Sequence, residues 1–134
     1  ITFINESAPV SDVWFIARQF EGESCRRSQV KKGSTLADLS PQKQKTSVIS
    51  AGKTIVLNLK GKKNSSFCSY TLLFNPVDGQ KYEVSFLSEL ISAGAIYDRR
   101  SCVVKVNKVI SSSTGERRVR EPVIRKTESC DHLE

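Results

Sequence analysis

Residues 67–86 read FCSYTLLFNPVDGQKYEVSF, and the fold turns on how this stretch is understood. Tyr70, Leu72 and Phe74 alternate with Thr71, Leu73 and Asn75, and Tyr82, Val84 and Phe86 alternate with Glu83 and Ser85. A period of two in aromatic and branched residues is the signature of a strand with one face buried. The connection Asn75-Pro76-Val77-Asp78-Gly79 contains a proline, which removes a ladder donor, and a glycine, which tolerates positive φ. The expectation is a β-hairpin whose Phe74, Tyr82, Val84 and Phe86 supply one core face. Each such side chain contributes roughly 1.5–3 kcal/mol when fully buried.

Outward from this stretch, the chain continues as short apolar runs between turn signals. Residues 1–9 read as a short strand interrupted at Pro9, and residues 10–20 as a strand with Trp14 taken as a core or inter-sheet residue. Residues 21–44 are polar, with one helical turn expected at 34–39. Two strands at 46–50 and 54–59 are expected to pair through Ala51-Gly52-Lys53, followed by a basic loop at 60–66. After the central stretch, 88–96 reads either as a helical turn ended by Gly94 or as a crossing loop. Residues 101–110 form a strand, and 117–126 a last one in which Pro122 requires an edge position. Seven or eight strands without a long amphipathic helix predict an all-β domain over 1–132, an antiparallel two-sheet β-sandwich, with a small β-barrel as the alternative.

At 134 residues the chain is of single-domain size and long enough to bury a core. No apolar run approaches the ~20 residues of a membrane-spanning helix. The chain opens on Ile1 and contains no Met, which reads as a start after a removed leader, with a lipid anchor upstream as one form of it. Leu133-Glu134 reads as a cloning scar. The four cysteines, Cys25, Cys68, Cys102 and Cys130, are widely spaced and have no metal-ligand spacing. They read as two disulfides formed in an oxidising compartment, with three pairings open, against the alternative of buried free thiols. If Cys130 is bridged, it pins the C-terminal tail.

Twenty-one Lys and Arg against fourteen Asp and Glu give a net charge of +7, which favours an anionic partner. The basic residues cluster: Arg26, Arg27, Lys31 and Lys32; Lys60, Lys62 and Lys63; Arg99 and Arg100; Arg117, Arg118 and Arg120 with Arg125 and Lys126. These groups are the candidate contacts for an anionic partner, while a basic edge strand is equally a guard against edge-to-edge aggregation. Nucleic acid is disfavoured because the aromatics follow the core pattern rather than interleaving with the basic residues. Asn5-Glu6-Ser7 and Asn64-Ser65-Ser66 fit the N-glycosylation pattern.

Catalytic chemistry finds little footing. The single histidine, His132, lies three residues from the end, a poor position for a nucleophilic triad. No phosphate-binding loop or dinucleotide fingerprint occurs, so no cofactor is expected, and no metal site. Asp78 and Glu83 are the one carboxylate pair near the central turn, and solvent exposure accounts for them equally well.

Cys68, then Phe74-x-Pro76-x-x-Gly79-x-x-Tyr82-x-Val84-x-Phe86, then Cys102-Val103-Val104-Lys105-Val106 resembles a loose group of small exported or periplasmic β-sandwich proteins of Gram-negative bacteria, often lipoprotein-like. The resemblance covers about a third of the chain and its elements are structural. It implies a β-sandwich in the bacterial envelope and carries no catalytic residue. Together these readings predict a non-catalytic exported binding or inhibitor protein, immunity-like, acting on an acidic protein or anionic envelope component. The alternative is an accessory component of an envelope assembly that uses strand-edge pairing.

Overall fold

A computed structural model describes residues 1–20, 34–49, 51–63, 66–93 and 98–126. These residues form ten strands and one short 3-10 turn: β1 (Thr2–Asn5), the turn Pro9–Ser11, β2 (Trp14–Phe20), β3 (Ser34–Leu39), β4 (Gln44–Thr46), β5 (Ile55–Lys63), β6 (Ser66–Phe74), β7 (Lys81–Ala93), β8 (Asp98–Ser112), β9 (Gly115–Arg120) and β10 (Ile124–Lys126). They make two open five-stranded sheets, ordered β4-β1-β7-β8-β9 and β10-β6-β5-β2-β3. The protein is an all-β sandwich, as its alternation predicts. One pair departs from antiparallel: β1 runs parallel to β7, with Phe3 opposite Val84 and Asn5 opposite Phe86.

The central stretch is not a hairpin. Its two strands belong to different sheets, β6 beside β5 and β10, β7 between β1 and β8. Residues 75–80 carry the chain across the sandwich, held by the Val77 N–H donating to the Tyr82 hydroxyl at 2.9 Å and Gln80 Nε2 donating to the Val109 carbonyl at 2.8 Å. Phe74 and Tyr82 meet edge to face across the layers, 5.5 Å between centroids. Both topologies turn the same row of side chains inward, so alternation does not distinguish them. The hairpin expected around Gly52 is absent too: of the described residues in the strand expected at 46–50, only Thr46 lies in a strand, β4, which pairs with β1 in the first sheet, residues 47–49 are irregular, and β5 pairs with β2 and β6 in the second sheet.

Three further expectations change for related reasons. Residues 34–39 are a strand because Ala37 and Leu39 pair with Ala17 and Phe15 of β2, and a six-residue window is too short to separate helical from strand spacing. Residues 88–93 extend β7 against β8, with a register shift between Leu90 and Ser92. Lys60 to Lys63 belong to β5 rather than to a loop. Pro122 sits between β9 and β10, where the chain leaves one sheet edge for the other; both strands are edges.

The core is drawn from the inward rows of both sheets. Phe15 of β2 and Phe86 of β7 stack with centroids 4.4 Å apart and planes 5° from parallel, and Phe3 joins Phe15 at 6.2 Å. Gly61 of β5 makes room for this pair. A Cβ added there would lie 2.4 Å from Phe86 Cζ, well inside contact distance. Beside it, the disulfide Cys68–Cys102 joins β6 to β8, and so one sheet to the other, with Cα atoms 5.5 Å apart. Cys25 and Cys130 lie outside the described residues.

Asn5 is the polar counterpart of this apolar centre. Fully buried, it donates through Nδ2 to the Val13 and Leu39 carbonyls at 2.9 and 3.0 Å and accepts from the Ser7 N–H through Oδ1 at 3.1 Å. It thus ties the end of β1 in one sheet to the residue just before β2 and to β3 in the other. A side-chain amide so engaged is closed to glycosylation in the folded protein, and the second such triplet, 64–66, begins outside the described residues.

Two substitutions probe these contacts by chemical denaturation. Gly61→Ala is expected to lose about 1–3 kcal/mol, since the rigid, buried Phe86 ring has no space to move into. Asn5→Ala is expected to lose about 1–3 kcal/mol by leaving buried carbonyls without donors. Wild-type stability in either variant counts against that assignment.

Candidate functional site

Alternation sets the outer face of the second sheet as firmly as it sets the core. Val13, Phe15 and Ala17 point inward, so Trp14, Ile16 and Arg18 point outward; on β6, Cys68, Tyr70 and Leu72 point inward, so Phe67, Ser69 and Thr71 point outward. Trp14 is therefore not a core residue. It stands 46% exposed, and Phe67 stands 49% exposed. Alternation carries a signal for both that residue type masks: Trp14 lies on the same side of β2 as Arg18, and Phe67 on the same side of β6 as Ser69 and Thr71.

The register brings these aromatics together around a lysine. Trp14 pairs with Lys62, and Lys62 with Phe67, so the three form one row across β2, β5 and β6. In the next row, Asp38, Ile16, Lys60 and Ser69 lie side by side. Lys60 is only 9% exposed and holds its ammonium 4.5 Å from the centroid of the Phe67 ring. Such a diagonal cross-strand cation–π contact fixes the ring while leaving its far side to solvent. A shallow groove of about 450 Å³ opens beside Trp14, lined by Asp12, Trp14, Ile16, Asp38, Lys62 and Lys63.

The sheet changes character along its length. Below the Lys60 row, Asn58 is buried and donates to Ser69 Oγ and Thr71 Oγ1 at 3.0 and 3.1 Å, and Val56, Phe20 and Leu73 on the same outer side are buried too. Trp14, Lys62 and Phe67 thus lie together toward the Lys63 end of β5.

Of the other basic residues singled out in the sequence, Arg125 and Lys126 lie on β10, at the edge of this same sheet beside β6, while the rest of the described ones belong to the opposite sheet. Arg117, Arg118 and Arg120 are on β9, the far edge of the opposite sheet, where all six residues are exposed. Arg118 is committed within the molecule, donating from Nε and Nη2 to the two carboxylate oxygens of Glu83 at 2.6 and 2.8 Å. Arg26, Arg27, Lys31 and Lys32 lie outside the described residues, as does His132. The basic groups that are neighbours in sequence therefore do not merge into one surface: Lys60, Lys62 and Lys63 belong to one face and the β9 arginines to another.

Glu83 also loses the role considered for it with Asp78. Hydrogen bonding to Arg118, reinforced by the guanidinium charge and only partly opposed by burial, holds its carboxyl below the usual carboxylate range. A carboxylate kept ionised in this way is a structural anchor, not a proton donor near neutrality. Because the folded-state value is depressed, the contribution of the pair is present above the unfolded carboxylate range and is lost as pH falls through the folded value. Glu83→Gln is accordingly expected to flatten the acidic limb of stability against pH while changing little at neutral pH, where an exposed pair counts for little. An unchanged acidic limb, measured by thermal unfolding from neutral to strongly acidic pH, contradicts this role.

Among the described residues, no helix is long and apolar enough to cross a membrane and no three His, Cys, Asp or Glu side chains are grouped to hold a metal ion. Comparison of the chain with protein-family models, with curated proteins and with solved structures finds no match, so the reading of this face rests on its geometry.

Proposed function

We propose that the protein is a non-catalytic binding protein, of the exported and inhibitor-like kind, that engages an anionic partner through the β2–β5–β6 face. The observation that carries this reading is the Trp14–Lys62–Phe67 row. Two large aromatic side chains stand about half exposed on one sheet face and flank a lysine, and aromatic and cationic groups together are what binding surfaces concentrate. The net charge of +7 steers an anionic partner toward such a face. An inter-sheet disulfide supports an oxidising compartment, in keeping with an envelope or secreted location.

A second reading draws on β9, an edge strand exposed at all six residues, which offers unpaired backbone groups to a partner strand in an assembly. Arg118 and Arg120 on it act equally as guards against unwanted pairing.

Trp14 is the only tryptophan, so intrinsic fluorescence reports on the face directly. Titration with polyglutamate, oligothymidylate and an acidic oligosaccharide is expected to shift its emission for at least one of them, with affinity falling as salt rises. Lys62→Glu with Lys63→Glu is expected to weaken that binding at least tenfold, and Arg117→Glu with Arg120→Glu to leave it unchanged. Binding lost in the β9 variant instead transfers the function to the strand edge.

A further inference from the structure

We propose that the anionic partner is a linear, β-linked acidic polysaccharide built of disaccharide repeats with one carboxylate per repeat. This deepens the reading above and rests on it. Trp14 and Phe67 are two strands apart in one row, and with neighbouring strands just under 5 Å apart their backbones stand about 10 Å from each other. That separation matches one disaccharide of an extended β-linked chain, in which every second sugar presents the same C–H face. Two aromatic platforms at this interval therefore stack on alternate sugars. Lys62, between them, lies opposite the intervening sugar, where an acidic repeat carries its carboxylate.

The charges around the groove separate this ligand from other polyanions. Asp12 and Asp38 line it together with Lys62 and Lys63. Two carboxylates beside Trp14 repel a phosphodiester backbone, which carries a charge at every unit, and so disfavour single-stranded nucleic acid despite the stacking groups. The same carboxylates accept hydrogen bonds from sugar hydroxyl and amide groups, while the lysines meet a widely spaced acid. An open, shallow groove beside Trp14 suits a chain that lies along the surface rather than one that is enclosed. On Phe67 the Lys60 ammonium occupies one side of the ring, which leaves a single side for stacking and keeps that platform in place.

The test uses the intact protein and four probes: hyaluronan oligosaccharides, an uncharged chitin oligosaccharide of similar length, oligothymidylate, and polyglutamate of matched charge. Calorimetry and Trp14 fluorescence give the affinities, and thermal unfolding confirms that each variant is folded. Hyaluronan oligosaccharides are expected to bind most tightly. Trp14→Ala and Phe67→Ala are each expected to weaken them about tenfold, the scale of one stacking contact. Lys62→Gln is expected to weaken hyaluronan and leave the weaker chitin binding unchanged, because only the former presents a carboxylate. Phe67→Tyr, which keeps the platform, is expected to retain affinity. Tighter binding of polyglutamate or oligothymidylate, lost in the Lys62 and Lys63 variants, overturns the polysaccharide and leaves the anionic-partner reading standing. Failure of all four probes to bind overturns both.

Discussion

Phe86 packs directly over Gly61 at the centre of the sandwich, and the arrangement of the core follows from that contact. A side chain at position 61 would hold the layers apart at the centre, where Phe15 and Phe86 now stack and Phe3 closes on them. The Cys68–Cys102 bridge emerges from the residue paired with Gly61, so the covalent link and the Phe86 contact lie side by side. Asn5 answers on the polar side, drawing carbonyls of the second sheet to the end of β1. Apolar packing, a covalent bond and buried hydrogen bonds thus act on one region, and a native interior tolerates little change in volume there.

This central clamp has a bearing on the outer face. Gly61 faces inward between Lys60 and Lys62, so the residue that admits Phe86 to the core also sets which lysines of β5 point outward. Trp14 and Phe67 reach the same surface through the register of β2 and β6 on β5. No loop is needed to assemble the platform; three adjacent strands hold it, as a binding constellation requires if its geometry is to be kept.

Much of this was legible in the sequence, and the misreadings share a cause. The inward rows Tyr70, Leu72, Phe74 and Tyr82, Val84, Phe86 follow from alternation alone, and so does the all-β class. What alternation does not carry is which sheet a strand joins. A connection of six residues with proline and glycine serves a hairpin or a crossing between layers equally, and β6 and β7 take the second course. The same holds for β4 and β5 around Gly52. Lys60 to Lys63 were hidden by composition: three lysines and a glycine suggest a loop, yet their spacing is that of a strand with Gly61 inward. Trp14 was hidden by its residue type, since a lone tryptophan suggests core, although Arg18 in the same row pointed outward. The basic groups misled differently, for proximity along the chain says nothing about two faces of a sandwich.

The parallel placement of β1 has one more implication, for the order in which the chain can assemble. The neighbours β5 and β6, β7 and β8, and β8 and β9 are each joined by short connections, so their ladders close small loops. The ladder of β1 on β7 joins Phe3 to Val84, and its formation closes a loop spanning most of the domain. Loop entropy therefore favours β1 as a late arrival, docking along β7 and giving β4 its partner only when the second sheet is present to receive Asn5. Until it docks, the long edge of β7 is an open template for a foreign strand, so the step most costly in search time is also the one that covers that edge.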